Sequence, residues 1–414
     1  MPSGFSGKNR SGLFLLLVGL FVVLTGPSAQ AGWNDELAQL REAIWQKGAE
    51  WEAGETSVST LPEAHKQQLL GVDKAELRRL HGAAPVTTAP SFGGAIAAAP
   101  TLNWKDLNFV TPVRNQGNCG ACWAFATAAA LESQLAMSTS VRLNLSEQVL
   151  VSCSGAGKCS GGYIDKASNF IRDVGLSTEG CFPYTAANTA CGAAACPNWK
   201  TRGTYGITGW HWVATVNPTV NALKTALNTY GPLVTTMNVY QDFYSYVSGV
   251  YSHVSGPQKG AHAVLIIGYD DTNSCFIVKN SWGTGWGEAG FFRIAYGELT
   301  SLVGFGEFTL AYEGYKGVVP SPTPAPAPTC TFTVSPLSRG FTAAGGLGTF
   351  TVAGGANCSW TAKSSVAWVH VMSAATGTGN GTAIFTVSPN STGLSRVGYI
   401  NAAGRTFKVV QTAY

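Results

Sequence analysis

Charge is what this 414-residue sequence has least of: Asp, Glu, Lys and Arg together make up 12% of it and leave a net charge of +4. So small a basic excess over this length offers no footing for nucleic acid or for an anionic membrane surface. The composition does not describe a disordered chain either, because 45% of the residues are hydrophobic and 50 are Gly, which suits an exported, β-rich protein. Histidine numbers six, which narrows any search for a general base. The N-terminal apolar run, Leu13 to Leu24, stops at Gly26-Pro27 and is shorter than the roughly 20 residues a spanning helix needs. Cys119-x-x-Cys122 has no second pair at zinc-finger spacing and no thioredoxin-like βαβ pattern around it, so neither a metal site nor a redox pair gains support. Residues 330–414 contain no Asp or Glu at all, against five Lys or Arg.

What is present is arranged in blocks. Lys8 and Arg10 precede the short apolar run, and Ala29-Gln30-Ala31 offers a small-x-small cleavage site, so residues 1–31 read as an export signal. Ten cysteines agree with an oxidising destination, outside the cell or in a bacterial periplasm or cell surface. Residues 32–100 change to charged and helical: Leu37, Leu40, Ile44 and Trp45 recur at helical spacing, and a second helical piece from Pro62 to Leu80 carries Gly71 as a break. Ala83 to Pro100 is an Ala, Gly, Pro and Thr tether. A helical unit on such a tether, placed ahead of a reactive Cys, reads as an inhibitory propeptide; an independent helical domain is the alternative.

The rest of the chain is organised around Gln116-Gly117-Asn118-Cys119-Gly120-Ala121-Cys122-Trp123-Ala124-Phe125. The Ala-rich run after Cys122 is strongly helix-forming, and Gly117 and Gly120 break any helix before it. Cys122 therefore belongs in a first helical turn, where unpaired N–H groups and the macrodipole favour a negative sulfur. Pro112 through Phe125 resembles the nucleophile segment of the papain-like cysteine peptidases. The likeness extends from about residue 101 to 315 through Leu145 to Cys153, Cys159-Ser160-Gly161-Gly162-Tyr163, Gly260-Ala261-His262-Ala263-Val264 and Lys279-Asn280-Ser281-Trp282-Gly283.

That resemblance implies a two-lobed α+β domain over residues 101–316, with a helical lobe bearing Cys122 and a strand-rich lobe bearing His262, and no cofactor or metal. It implies Cys122 as nucleophile, His262 as base, Asn280 orienting the imidazole under cover of Trp282, and Gln116 as oxyanion donor. Ser146 is placed to cap the helix after Leu145. The double glycine lets a peptide lie against bare backbone, and Tyr163, Ile164, Ala261 and Phe308 become substrate contacts. Those uncharged walls predict an endopeptidase preferring an apolar residue second before the scissile bond; a shift of one residue would instead put Glu307 there and admit Arg or Lys. The family pairing joins Cys119 to Cys159 and Cys153 to Cys191, leaving Cys181 for Cys196, with Cys153, Cys181, Cys191 and Cys196 open to permutation. Cys275 is expected to be a buried free thiol.

Pro320, Pro322, Pro324, Pro326 and Pro328 make residues 317–329 a stiff, extended connector that holds two domains apart. Beyond it, short Thr, Val and Phe strands alternate with Gly-rich turns, predicting a small β-sandwich over 330–414 closed by Cys330 and Cys358, with Trp360 and Trp368 in its core. Cys330-x-Phe-x-Val-x-Pro336, Cys358-x-Trp360 and Arg396-x-Gly398 resemble the BACON-type modules, which implies a carbohydrate, mucin or cell-surface ligand, with a plain spacer or adhesion module as the alternative. The expected whole is a secreted peptidase zymogen acting on proteins or peptides. Two rivals stand beside it: a catalytically silent surface-binding protein and a thiol–disulfide oxidoreductase.

Overall fold

A computed structural model describes residues 29–87, 99–193, 195–200, 204–317, 330–355, 358–373 and 375–413. The export signal up to residue 28, most of the tether and the proline connector lie outside the described residues; the expected cleavage at Ala31 falls in the first turn of a helix. That helix, α1 (Ala29–Gln46), leads through β1 (Trp51–Ala53) to α2 (Glu63–Gln67) and α3 (Lys74–His81). Residues 68–73 between the last two are not helical, which is where the sequence places its glycine break.

The central element is α4 (Cys122–Thr139), buried from Cys122 through Ala136. A helix apolar on every side has to be surrounded, and its run of Ala lets neighbours approach closely. Around it on one side lie α5 (Glu147–Cys153), whose Ser146 cap accepts from the Val149 N–H, and α6 (Ile164–Asp173). On the other side is a nine-stranded sheet. After β2 (Thr101–Asn103) and the two-residue strands β3 (Gly157–Lys158) and β4 (Gly161–Gly162), its strands are β5 (Tyr205–Ala214), β6 (Leu233–Tyr240), β7 (Tyr246–Tyr251), β8 (Gln258–Asp270), β9 (Cys275–Lys279), β10 (Phe291–Ala295) and β11 (Glu307–Gly317). Their order is β1-β7-β10-β9-β8-β6-β11-β5, with β2 on β8. This half is not all strand, since α7 (Val220–Tyr230) interrupts it. Two lobes thus meet along the seam between α4 and β8.

The N-terminal segment, residues 29–87, is an integral part of this packing. β1 adds antiparallel to the edge strand β7, and the Trp51 indole N–H donates to the Ser252 carbonyl at 3.0 Å. Trp51 lies 5.3 Å from Tyr251 between ring centroids and is buried.

Residues 332–411 form two facing sheets, the β-sandwich the alternation predicts: four strands with Gly346–Gly354 and Gly381–Val387 at the centre, and five containing Arg396–Ala402 and Arg405–Gln411. Phe350, Phe385 and Phe407 fill the space between them. Trp360 is buried there, whereas Trp368 is half-buried beneath the Arg396 guanidinium at 4.3 Å, so only one of the two Trp residues is fully in the core. Nor is the module held apart as the prolines suggest: Tyr399 sits 6.1 Å from Trp104 of the larger unit, and the Asn401 side chain donates to the Asp106 carbonyl at 3.4 Å.

Candidate active site

Cys122 opens α4 behind Ala121, which supplies no side-chain cap, so the first-turn N–H groups remain available to the sulfur. The loop ahead of it is pinned by Cys119–Cys159 and by the Gly120 N–H donating to the Cys159 carbonyl at 2.8 Å. The thiol faces β8 at Ala263, whose N–H hydrogen-bonds to it. His262, beside Ala263, is the fifth residue of a thirteen-residue strand rather than the start of one.

Its Nε2 lies 2.8 Å from Asn280 Oδ1. That oxygen also accepts the Ser281 N–H at 2.8 Å, so it is the carbonyl side of the amide and Nε2 carries the hydrogen. Nδ1 is then the lone-pair nitrogen, and it is buried with no hydrogen-bond partner. Trp282 covers the imidazole at 4.8 Å between ring centroids, keeping water from the His262–Asn280 bond.

Gln116 is buried across the same seam. Its amide N–H donates to the Cys119 carbonyl at 2.8 Å and to the Leu69 carbonyl at 3.1 Å, while its amide oxygen accepts from Ser281 Oγ at 2.7 Å. Ser281 therefore links the Gln116 side-chain amide to the Asn280 side-chain oxygen, a role that sequence reasoning missed although the residue stands inside the motif it used. Behind these residues the lobes share a buried polar cluster that no motif announces. Lys279 Nζ donates to Thr111 Oγ1 at 2.9 Å, Thr111 donates to Glu132, and Glu132 accepts the Leu145 N–H at 2.8 Å. Burial raises the Glu132 carboxyl, opposed by Lys279, and lowers Lys279, opposed by Glu132.

Residues 69–72 of the N-terminal segment fill the seam. Gly71 lies against Gly120, its carbonyl accepts the Gly162 N–H at 2.9 Å, and the Val72 N–H donates to the Ala261 carbonyl at 3.3 Å. A side chain on Gly71 would overlap the Gly120 carbonyl, which is the reason for a glycine there. Cys122 and His262 are both 0% exposed under this cover. Burial pushes the thiol up to about 11 and the imidazole down to about 4, the latter opposed by Asn280 and by the Leu69 carbonyl. At neutral pH both groups are therefore uncharged.

The other expected residues are placed as follows. Tyr163 is half-buried at the N-cap position of α6 without a side-chain capping bond, Ile164 is buried at its start, and Gly161 and Gly162 flank the Gly71 carbonyl. Phe308 is fully buried with its ring 6.1 Å from Trp212, while Glu307 holds Lys74 at 2.7 Å and Arg78 at 2.8 Å. Disulfides join Cys119–Cys159, Cys153–Cys191, Cys181–Cys196 and Cys330–Cys358; Cys122 and Cys275 are free and buried.

Residues 98–305 match the family described as "Papain family cysteine protease", and residues 331–413 match the "Viral BACON domain". The chain is 37% identical over 205 residues to a cathepsin L-like proteinase of Fasciola hepatica, covering 48% of this chain and 61% of that protein. It is 35% identical over 256 residues to a cathepsin L-like protein of Caenorhabditis elegans, covering 59% and 72%. With the first of these, as with a digestive cysteine proteinase of Homarus americanus, it spans about three fifths (61%) of the relative's length. Among solved structures, digestive procathepsin L2 of Tenebrio molitor aligns at a TM-score of 0.55 and 28% identity over 68% of this chain and 90% of that one. A recombinant stem bromelain precursor aligns at 0.56 and 26%, over 68% and 89%.

Proposed function

The chain belongs to the papain family of cysteine proteases, and from that premise we propose that it is a secreted endopeptidase made as a zymogen. The observation that carries this is the seam itself: a helix-initial thiol bonded by the N–H of Ala263, the adjacent residue His262 with its second ring nitrogen buried, and an amide fixing the imidazole tautomer at 2.8 Å. Once the cleft is open, Cys122 passes its proton to His262 Nδ1 and the sulfur attacks the peptide carbonyl. Gln116 Nε2 and the Cys122 N–H hold the developing oxyanion. The imidazolium protonates the leaving amine as the C–N bond breaks, leaving a thioester. Water, giving its proton to His262, then releases the acid and restores the thiol.

Residues 32–100 are the inhibitor, 101–316 the catalytic domain and 330–414 a binding module. Support for inhibition is direct occupancy: the Leu69 carbonyl takes the Gln116 donor that a substrate oxyanion needs. The module's ligand is a carbohydrate or cell surface, in keeping with its lack of acidic side chains. The deciding experiment is hydrolysis of internally quenched peptides by the processed full chain, with and without an epoxysuccinyl thiol reagent. Hydrolysis that the reagent abolishes supports the reading. No hydrolysis, with surface binding retained, selects the silent-protein alternative, and disulfide exchange without hydrolysis selects the oxidoreductase.

A further inference from the structure

The C-terminal sandwich meets the catalytic unit with its five-stranded sheet. Tyr399 and Asn401 are alternate residues of the strand Arg396–Ala402, so they share a face, and Lys363 stands opposite Asn401 on it. That face touches the larger unit through the Tyr399–Trp104 rings and the bond from Asn401 to the Asp106 carbonyl. Beside these contacts the two units stand apart and enclose a groove of about 570 Å³. Small-ligand sites have this size, and junctions between units are a preferred place for them. One wall is the segment from Ala99 to Leu107 with the end of β8, and the other is the module's residues 363–366 with Val397, Tyr399 and Asn401.

The groups along these walls are mostly polar, and several have bonding capacity left over. Among the described residues, the Asp106 carboxylate, the Lys363 ammonium and the Tyr399 hydroxyl have no hydrogen-bond partner. Asn228, also on the groove, gives its amide N–H groups to the Lys224 carbonyl at 2.7 Å and the Tyr269 hydroxyl at 3.0 Å, which leaves its amide oxygen to accept. Asp270 is fixed by three bonds from Thr272 and Asn273 and keeps a further lone pair. Tyr399 is held by Ser365, whose hydroxyl accepts the Tyr399 N–H at 3.2 Å and donates to its carbonyl at 3.0 Å. The set is therefore organised before any ligand arrives.

Carboxylates and amides placed around an aromatic ring suit a sugar. Each sugar hydroxyl both donates and accepts, so carboxylate and amide oxygens take its hydrogens while the ring covers the apolar C–H side. An apolar ligand would leave these groups desolvated and unpaired. Two carboxylates, Asp106 and Asp270, stand against one ammonium, Lys363, which disfavours sulfated or sialylated glycans. Resting on the reading of residues 330–414 as a carbohydrate-binding module, we infer that the groove between the units is its binding site and takes a short, uncharged oligosaccharide. The site is shared: Tyr399 and Asn401 supply a ring and an amide, and the catalytic unit supplies the carboxylates that residues 330–414 lack. A ligand bound across the junction stabilises the docked arrangement by mass action, so the oligosaccharide fastens the module to the catalytic unit.

The test titrates the full chain, carrying Cys122→Ala to prevent self-cleavage, in a calorimeter. The probes are uncharged tetrasaccharides of glucose, mannose, galactose and N-acetylglucosamine, with sialyllactose and a heparin tetrasaccharide as the anionic set. At least one uncharged probe should bind, and added salt should not weaken it. Asp106→Ala should reduce that affinity about tenfold or more, the effect of losing a charged hydrogen-bond acceptor, and Tyr399→Phe about three- to tenfold. Asp106 gives its carbonyl and not its carboxylate to docking, so the first substitution leaves the contact with Asn401 in place. Thr349→Lys, exposed on the opposite sheet, should leave affinity within about twofold. Binding unmoved by Asp106→Ala, or lost in Thr349→Lys, places the ligand on the module alone; that overturns the inference and leaves the carbohydrate reading standing. Binding of the anionic probes only also overturns the inference, and binding of none of these glycans overturns both. If Tyr399→Phe fails to fold, Asp106→Ala, at an exposed residue, decides by itself.

Discussion

At the scale of single residues, desolvation under the N-terminal segment keeps Cys122 and His262, the proposed catalytic pair, uncharged. Cys122→Ala should abolish hydrolysis, and His262→Ala should lower kcat by about 10²–10⁴-fold, the contribution of a positioned acid–base. Cys275→Ser should leave turnover intact, because that thiol lies in β9, buried and outside the seam. The pH dependence follows from His262, whose pKa is lowered by burial from 6.5 to about 4. The closed form binds fewer protons than an opened one in which the imidazole is solvated. Closure is therefore fully favoured above about pH 6.5 and loses up to about 3 kcal/mol as pH falls towards 4. Glu132 and Glu147 have raised pKa values, which by themselves favour the folded state at low pH. They lie inside the catalytic domain, so opening the cleft leaves their contribution in place. Self-processing of the zymogen should be faster at pH 4–5 than at pH 7, and a rate independent of pH across that window would contradict this origin.

At the scale of elements, the prosegment is held at three places: Trp51 on β7, Gly71 over Cys122, and Lys74 and Arg78 on Glu307. Each can be loosened separately. Gly71→Ala should lift the segment off Gly120, seen as faster alkylation of Cys122 in the unprocessed chain. Trp51→Ala removes a buried indole, worth about 3–5 kcal/mol in a core, and should raise basal activity of the precursor without altering the processed enzyme. The helical periodicity of this segment was legible, and so was its glycine. Its path was not, because nothing in residues 68–73 specifies which strand edge or carboxylate they meet.

At the scale of the whole molecule, the C-terminal sandwich touches the catalytic unit at Trp104 and Asp106, residues of the segment that follows β2 and not of the seam. Truncation after Gly317 should therefore leave kcat/KM on small peptides within about twofold of the full chain, a margin under about 0.5 kcal/mol. A larger loss would show that the module supports catalysis. Within the module, Cys330–Cys358 closes a 28-residue separation, for which loop entropy gives about 3–4 kcal/mol. Replacing both by Ser should lower the module's melting temperature and leave that of the catalytic unit unchanged.

The sequence by itself determined the local features: the helix at Cys122, the Ser146 cap, the proposed set of Gln116, Cys122, His262 and Asn280, and the alternation of the sandwich. Each is a property of neighbouring residues or of a motif whose chemistry demands those types. It left open whatever depends on apposition. Periodicity alone could not choose between Glu307 and Phe308, since one extra residue in β11 resets the alternation, and only pairing with β6 shows where that residue sits. Nor could it reveal the Thr111–Glu132–Lys279 cluster, whose members are 21 and 168 residues from Thr111. Such charges tolerate burial only with partners, and the partners come together only when two lobes close on one helix.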